Sequence, residues 1–231
     1  DALVAVNSLG EMMIASRHGD FPIKKGDKVA GTRIIPLVIE KEKMNAAEKA
    51  AGSLPIFDIL PYQQKKVGIV TKGLIRDTFT PVLREKLSGF PTEVTGQVMP
   101  GDDKEEITKA ILSFADAGAD LIICTGGMSV DPDDRTPGGI HDTGAKIVTY
   151  GAPVLPGAML LVAYLERNGR SIPVLGLPGC VMYAKRTVFD LILPRVMADD
   201  EIKAEEIARL GEGGLCLNCP VCTFPNCGFG K

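Results

Sequence analysis

The chain has 231 residues, 45% of them hydrophobic and 24% charged, with a formal net charge of -3 at pH 7. That length suits one large domain plus a small one, and the composition is that of a folded protein rather than a disordered one. The acidic balance excludes a general nucleic-acid binder, and the longest apolar runs, 34–39 and 158–163, fall far short of the ~20 residues that span a bilayer. No secretory leader is visible, so a cytoplasmic protein is expected; the start at Asp1 rather than Met reads as the cut end of a longer chain.

Residues 1–60 hold short, partly alternating apolar runs at 3–6, 12–15, 28–30 and 33–39, separated by the turn formers Asn7-Ser8, His18-Gly19-Asp20 and Gly26-Asp27. The pattern predicts a small β-rich subdomain, then a charged, alanine-rich helix over 40–51 and a linker. Residues 61–198 alternate strands with helices. Strands are expected at 67–71, 93–99 and 121–125. A helix over 80–87 accepts Pro81 in its first turn, and another opens at Asp102 and Asp103 and ends at Gly118. Asn168-Gly169 marks a hairpin between 158–165 and 172–177, and a helix over 181–193 is ended by Pro194. The expected result is an α/β sheet covered on both faces, with an antiparallel hairpin at one edge. Residues 199–231 read as a short charged helix, a glycine run and a cysteine tail.

There are two histidines, far apart, and neither HExxH nor GxxxxGK[ST] occurs, which removes zincins and P-loop enzymes. Gly127-Met128-Ser129-Val130-Asp131 lacks the closing glycine of a nucleophile elbow. The segment from Thr125 through Gly126, Gly127, Met128 and Ser129 to Asp131, Asp133, Asp134, Arg135, Thr136 and Pro137 leaves a buried strand at its C-terminal end, where open α/β sheets place ligands. Paired glycines let backbone N–H groups close on an anion, and Thr125 and Ser129 add hydroxyls. The carboxylates that follow fit a phosphate only if a divalent cation bridges the two. The bland alternative is a surface turn with solvated aspartates. Two further strand exits face the same way in a parallel sheet: the loop from Thr71 and Lys72 through Gly73 to Asp77 and Thr78, and Leu177-Pro178-Gly179-Cys180 before a helix. Asp77 or Thr78 serves equally as a helix cap.

On Gly73-Leu74-Ile75-Arg76-Asp77, Val98-Met99-Pro100-Gly101-Asp102-Asp103, Ala119-Asp120-Leu121-Ile122-Ile123-Cys124-Thr125-Gly126-Gly127, Asp134-Arg135-Thr136-Pro137 and Leu177-Pro178-Gly179, residues 65 to about 197 resemble the molybdopterin-binding domain of molybdenum-cofactor biosynthesis proteins. That family includes molybdopterin adenylyltransferase, molybdopterin molybdenumtransferase and gephyrin. The resemblance implies a three-layer α/β/α fold with a mixed, mostly parallel sheet, a pterin-phosphate ligand, and assembly as a trimer or dimer. It further implies ligand binding by Thr71, Gly73, Thr78, Thr125, Gly126 and Gly127, joined by Met128, Ser129, Pro178 and Gly179. Asp134 and Asp77 are the candidate catalytic acids, holding Mg²⁺ or meeting the pterin. Met128-Ser129 stands closer to the Ser-Gly-Gly-x-Ser of the molybdenumtransferase branch, Asp134-Arg135-Thr136-Pro137 closer to the adenylyltransferases, and Cys180 replaces a usual Asn. Adenylyl transfer, metal insertion and carriage of the cofactor without turnover, the tail sensing redox state or docking a partner, all stay open.

Six cysteines occur, and four form Cys216-x₂-Cys219-x₂-Cys222-x₄-Cys227 in the tail. Cys124 and Cys180 read as small buried hydrophobes. Four clustered thiols without a secretory leader suit a metal rather than disulfides, either a [4Fe–4S] cluster or Zn²⁺. The alternative is a disordered, thiol-rich tail.

Overall fold

In the computed structural model, which describes all residues except 1, 73–75, 102 and 130 and the side chain of Arg76, the chain divides into two compact units, Asp1–Pro61 and Tyr62–Lys231. The first unit opens on helix α1 (Ala2–Asn7), where a strand is expected from the pattern. Its last residue explains the difference. The Asn7 side chain accepts from the Ile14 N–H at 2.7 Å and donates to the Ile14 carbonyl at 2.9 Å. It therefore meets strand β1 (Met12–Ser16) as a neighbouring strand would. β1 pairs antiparallel with β2 (Ala30–Ile34), Met12 opposite Ile34. Helix α2 (Lys41–Ala51) ends at Gly52, whose φ of 78° is open to glycine without a Cβ penalty. Among its described residues two helices stand beside the two strands, so the unit is more helix than strand rather than β-rich, and Val6 and Ala47 are buried on the helices.

The second unit is built on β3 (Lys65–Thr71), β4 (Thr92–Val98), β5 (Leu121–Thr125), β6 (Lys146–Tyr150), β7 (Leu161–Arg167) and β8 (Arg170–Leu177). They form one sheet in the order β4-β3-β5-β8-β7-β6. The first four are mutually parallel, β7 runs antiparallel to β8, and β6 runs antiparallel to β7. β5 is buried along its whole length, so both faces are covered. Leu121 and Ile123 join Val67, Ile69, Leu175 and Leu177 in one core, with α3 (Arg76–Leu87) and α6 (Val188–Met197) supplying Phe79, Leu83, Phe189 and Ile192. Ile122 and Cys124 join Val70 and Val174 in the other, against Ile107, Ile111 and Phe114 of α4 (Lys104–Asp116) and Ile140 of α5 (Thr136–Asp142). The alternation of β5 side chains thus separates three layers, α/β/α.

Local signals act where expected. Asp103 caps α4, accepting from the Glu105 N–H at 2.6 Å, while its neighbour at position 102 lies outside the described residues. Asn168 and Gly169 take φ values of 53° and 71°, a turn whose twist matches the hairpin β7–β8. Three boundaries differ. The hairpin is internal, because β6 adds to β7 and forms the edge. α3 begins at Arg76, so Pro81 lies inside it rather than in its first turn. α6 begins only at Val188 and runs through Pro194 to Met197. Its start is set by a capping box: the Thr187 hydroxyl accepts from the Phe189 N–H and Asp190 accepts from the Thr187 N–H. Burial of Val196 and Met197 carries the helix past the proline.

Candidate functional site

From β3 the chain goes by α3 to β4 on one side, then by α4 to β5 on the other. The order therefore reverses between β3 and β5, and the crevice beyond their C-terminal ends is where such sheets hold ligands. Thr71 lies opposite Thr125, and Thr125 opposite Leu177, so three strand exits stand side by side. The Lys72 N–H donates to the Thr125 carbonyl at 3.2 Å and ties two of them together. Thr71 and Thr125 are buried, and among the described residues the Thr125 hydroxyl has no hydrogen-bond partner.

Gly126 and Gly127 follow with φ of 84° and 63°, successive left-handed residues that L side chains resist. The Thr136 hydroxyl donates to the Gly126 carbonyl at 2.5 Å and fixes the turn. A Cβ at Gly127 would stand 2.8 Å from both Cε and Nζ of Lys72. The missing side chain is thus what lets the Lys72 ammonium close over the loop.

Beyond Gly127 the loop splits its side chains. Met128 is buried, its methyl and sulfur filling the space over Gly176 of β8, so its side chain belongs to the core. Ser129 is exposed, and Asp134 Oδ2 accepts from both its N–H (2.5 Å) and its hydroxyl (2.7 Å). Asp131 and Asp133 are exposed and bonded to each other, the Asp133 N–H donating to Asp131 Oδ1 at 3.0 Å. Asp134 is therefore first of all the brace of this turn. The Tyr150 phenol donates to the Ser129 carbonyl at 3.2 Å; burial, and then the charge of Asp134, hold its pKa above the ordinary phenol value.

At the third exit Pro178 is buried and Gly179 exposed. They open a 3-10 turn (Gly179–Met182), not the helix expected there, because the capping box delays α6 to Val188. Thr78 reaches this turn through its hydroxyl, 3.5 Å from the Met182 sulfur. Asp77 is exposed in the first turn of α3. Gly73 lies outside the described residues.

Residues 59–198, more than half of the chain, match the family described as a probable molybdopterin binding domain. The chain belongs to this family. Among curated relatives it is similar to the molybdopterin molybdenumtransferase of Haemophilus influenzae, 26% identical over 189 residues that cover 75% of this chain and 43% of that one. It is also similar to the molybdopterin adenylyltransferase of Pyrococcus furiosus, 27% identical over 137 residues, 52% of this chain and 80% of the other. The chain thus spans less than half the length of the molybdenumtransferase. Among solved structures, MogA overlaps 62% of this chain and 100% of its own at 19% identity and a TM-score of 0.45. The tungsten cofactor synthesizing protein MoaB from Pyrococcus furiosus overlaps 59% and 89%, at 19% identity and a TM-score of 0.43.

Within this molybdopterin-binding domain three residues of the candidate site are not singled out by sequence alone. Lys72 and Thr136 sit inside segments that reading singles out, but only the fold brings both against Gly127. Tyr150 belongs to β6, a strand with no strong pattern. The four tail cysteines lie beyond the matched residues and around a separate cavity. Cys216 and Cys227 are partly buried, Cys219 and Cys222 exposed. Among the described residues no three His, Cys, Asp or Glu are gathered to hold a metal ion. The Cys222 thiol is held below its usual pKa by the Phe224 N–H and by the Arg186 guanidinium, whereas burial pushes Cys124 and Cys180 up. Among the described residues no helix is long and apolar enough to cross a membrane.

Proposed function

We propose that the second unit binds the phosphate of molybdopterin in the crevice between β3 and β5, with Mg²⁺ recruited at Asp134, for a transfer step of molybdenum-cofactor biosynthesis. The observation that carries this reading is the meeting of Lys72 with Gly127, a cation set against backbone stripped of side chain. That pairing recognises an oxyanion. The buried Thr125 hydroxyl supports it: an unpaired buried hydroxyl costs about 1–3 kcal/mol, which a ligand oxygen would recover. Gly126, Ser129 and the Met128 backbone complete the phosphate cradle, Thr71 supports it from below, and Asp77, Thr78, Pro178 and Gly179 take the pterin side. For transfer, such a site supplies position and neutralised charge rather than a nucleophile of its own. Both named relatives are transferases, so ATP or molybdate is the proposed second substrate.

Anaerobic titration with molybdopterin tests the cradle. A charged hydrogen bond is worth about 1.5–3 kcal/mol, so Lys72→Ala is expected to raise the Kd by roughly tenfold to a hundredfold. Unchanged affinity in that variant removes the site. Asp134→Asn still accepts from Ser129 and keeps the turn; it is expected to bind molybdopterin but to lose the Mg²⁺ dependence of turnover with ATP or molybdate. If the unaltered chain binds molybdopterin and turns over neither, it is a carrier.

A further inference from the structure

We propose that the four tail cysteines ligate an iron–sulfur cluster inside the cavity they enclose, a site outside the molybdopterin-binding domain and independent of what the strand-exit loops hold. Cys216, Cys219, Cys222 and Cys227 all line one cavity of about 200 Å³. The segment that carries them is built into the fold. The Leu155 N–H donates to the Gly214 carbonyl and the Cys216 N–H donates back to the Leu155 carbonyl, each at 2.8 Å. Phe229 is 4% exposed and belongs to the core under α6, with Cys216 and Cys227 packed against the same core. A Cβ at Gly230 would come within 2.4 Å of Leu191. Two of the thiols are thus anchored to the body of the protein, and two stand on the rim.

The other walls suit a thiolate-bound metal. Leu215, Leu217 and Phe224 are apolar, and Lys185 and Arg186 bring positive charge. Four thiolates outweigh a doubly charged metal core by two, and cations beside them offset that excess. Arg186 lies over the Phe224 ring at 4.9 Å, bonds Asp190 at 2.9 Å and shares the cavity wall with Cys222. Lys185 donates to the Pro220 carbonyl at 3.2 Å, inside the cysteine segment.

The cysteine spacing favours a cluster over a single ion. Zn²⁺ draws four sulfurs to about 2.3 Å from one point. Here the four thiols line one cavity of about 200 Å³. A polynuclear cluster has its cysteine ligands on separate iron atoms and fits a ring of thiols. The Cys-x₂-Cys-x₂-Cys spacing is also the one ferredoxins use for such a cluster.

The test uses the whole chain, reconstituted anaerobically with ferric and ferrous iron in equal amounts and sulfide, which together sum to the doubly charged core. About four iron and four sulfide per chain are expected, with the broad visible absorption of thiolate-bound iron. Cys219→Ser and Cys222→Ser, both at exposed positions, are expected to lose most of the iron while circular dichroism stays that of the unaltered chain. Cys180→Ser, outside the cavity, is expected to keep it all. The proposal is overturned if the reconstituted chain takes up no iron, if one Zn²⁺ per chain binds and excludes iron, or if Cys219→Ser and Cys222→Ser retain the full cluster.

Discussion

Gly127→Ala is expected to weaken molybdopterin binding by roughly tenfold to a hundredfold while the chain stays folded. Two costs combine. The residue has a φ of 63°, where a Cβ costs about 1–2 kcal/mol. The new methyl would also stand 2.8 Å from the Lys72 ammonium and 3.1 Å from the Thr136 hydroxyl. Lys72 can swing away, since the clash is with the end of a flexible side chain; the Thr136 bond to Gly126 cannot move as freely. The ammonium therefore leaves the phosphate site, and the loss is that of one charged hydrogen bond, about 1.5–3 kcal/mol. Titration of both variants separates the parts. If Lys72 is the agent, Gly127→Ala combined with Lys72→Ala is hardly weaker than Gly127→Ala alone. Independent, additive losses would mean that Gly127 acts through the backbone only. Wild-type affinity in Gly127→Ala would mean the anion sits elsewhere.

Asp190→Ala is expected to destabilise the second unit by about 3–5 kcal/mol, the largest stability effect foreseen here. Its carboxylate is 6% exposed and accepts from Lys86 of α3 at 2.8 Å on both oxygens, from Arg186 at 2.9 Å and from the Thr187 N–H at 2.8 Å. Removing it leaves the Lys86 ammonium, 12% exposed, without its counter-charge, and strips α6 of its capping box. Asp190→Asn keeps an acceptor and is expected to cost less. Urea unfolding followed by circular dichroism measures both; a loss below about 1 kcal/mol in the alanine variant would show that the pair contributes no net stability. Because Arg186 also faces the cysteines, the same variant is expected to loosen the tail cavity.

Much of the fold was legible because the signals are local. The unbroken apolar run of β5, the Asp103 cap and the Asn168-Gly169 turn each act within a few residues, through burial, a side-chain oxygen and left-handed backbone. Local reading went astray where a nearby pattern competed with a cap. The apolar run from Val181 suggested a helix, but Thr187 and Asp190 start it later, so the turn beside Gly179 offers no helix N-terminus. β6 and α5 escaped because their short segments earn their place by adding to β7 and packing on α4.

By itself the sequence determined which residues could turn left-handed at Gly126 and Gly127, which strands would be buried on both faces, and that four thiols would be close along the chain. Only the tertiary structure decided that the order reverses between β3 and β5, that Lys72 lies on Gly127, that Met128 belongs to the core, and that the thiols ring a hollow. The physical reason is range: backbone preference and burial pattern are properties of neighbouring residues, whereas a cation over a glycine, or a cavity wall, is made by segments whose separation along the chain carries no trace of their meeting.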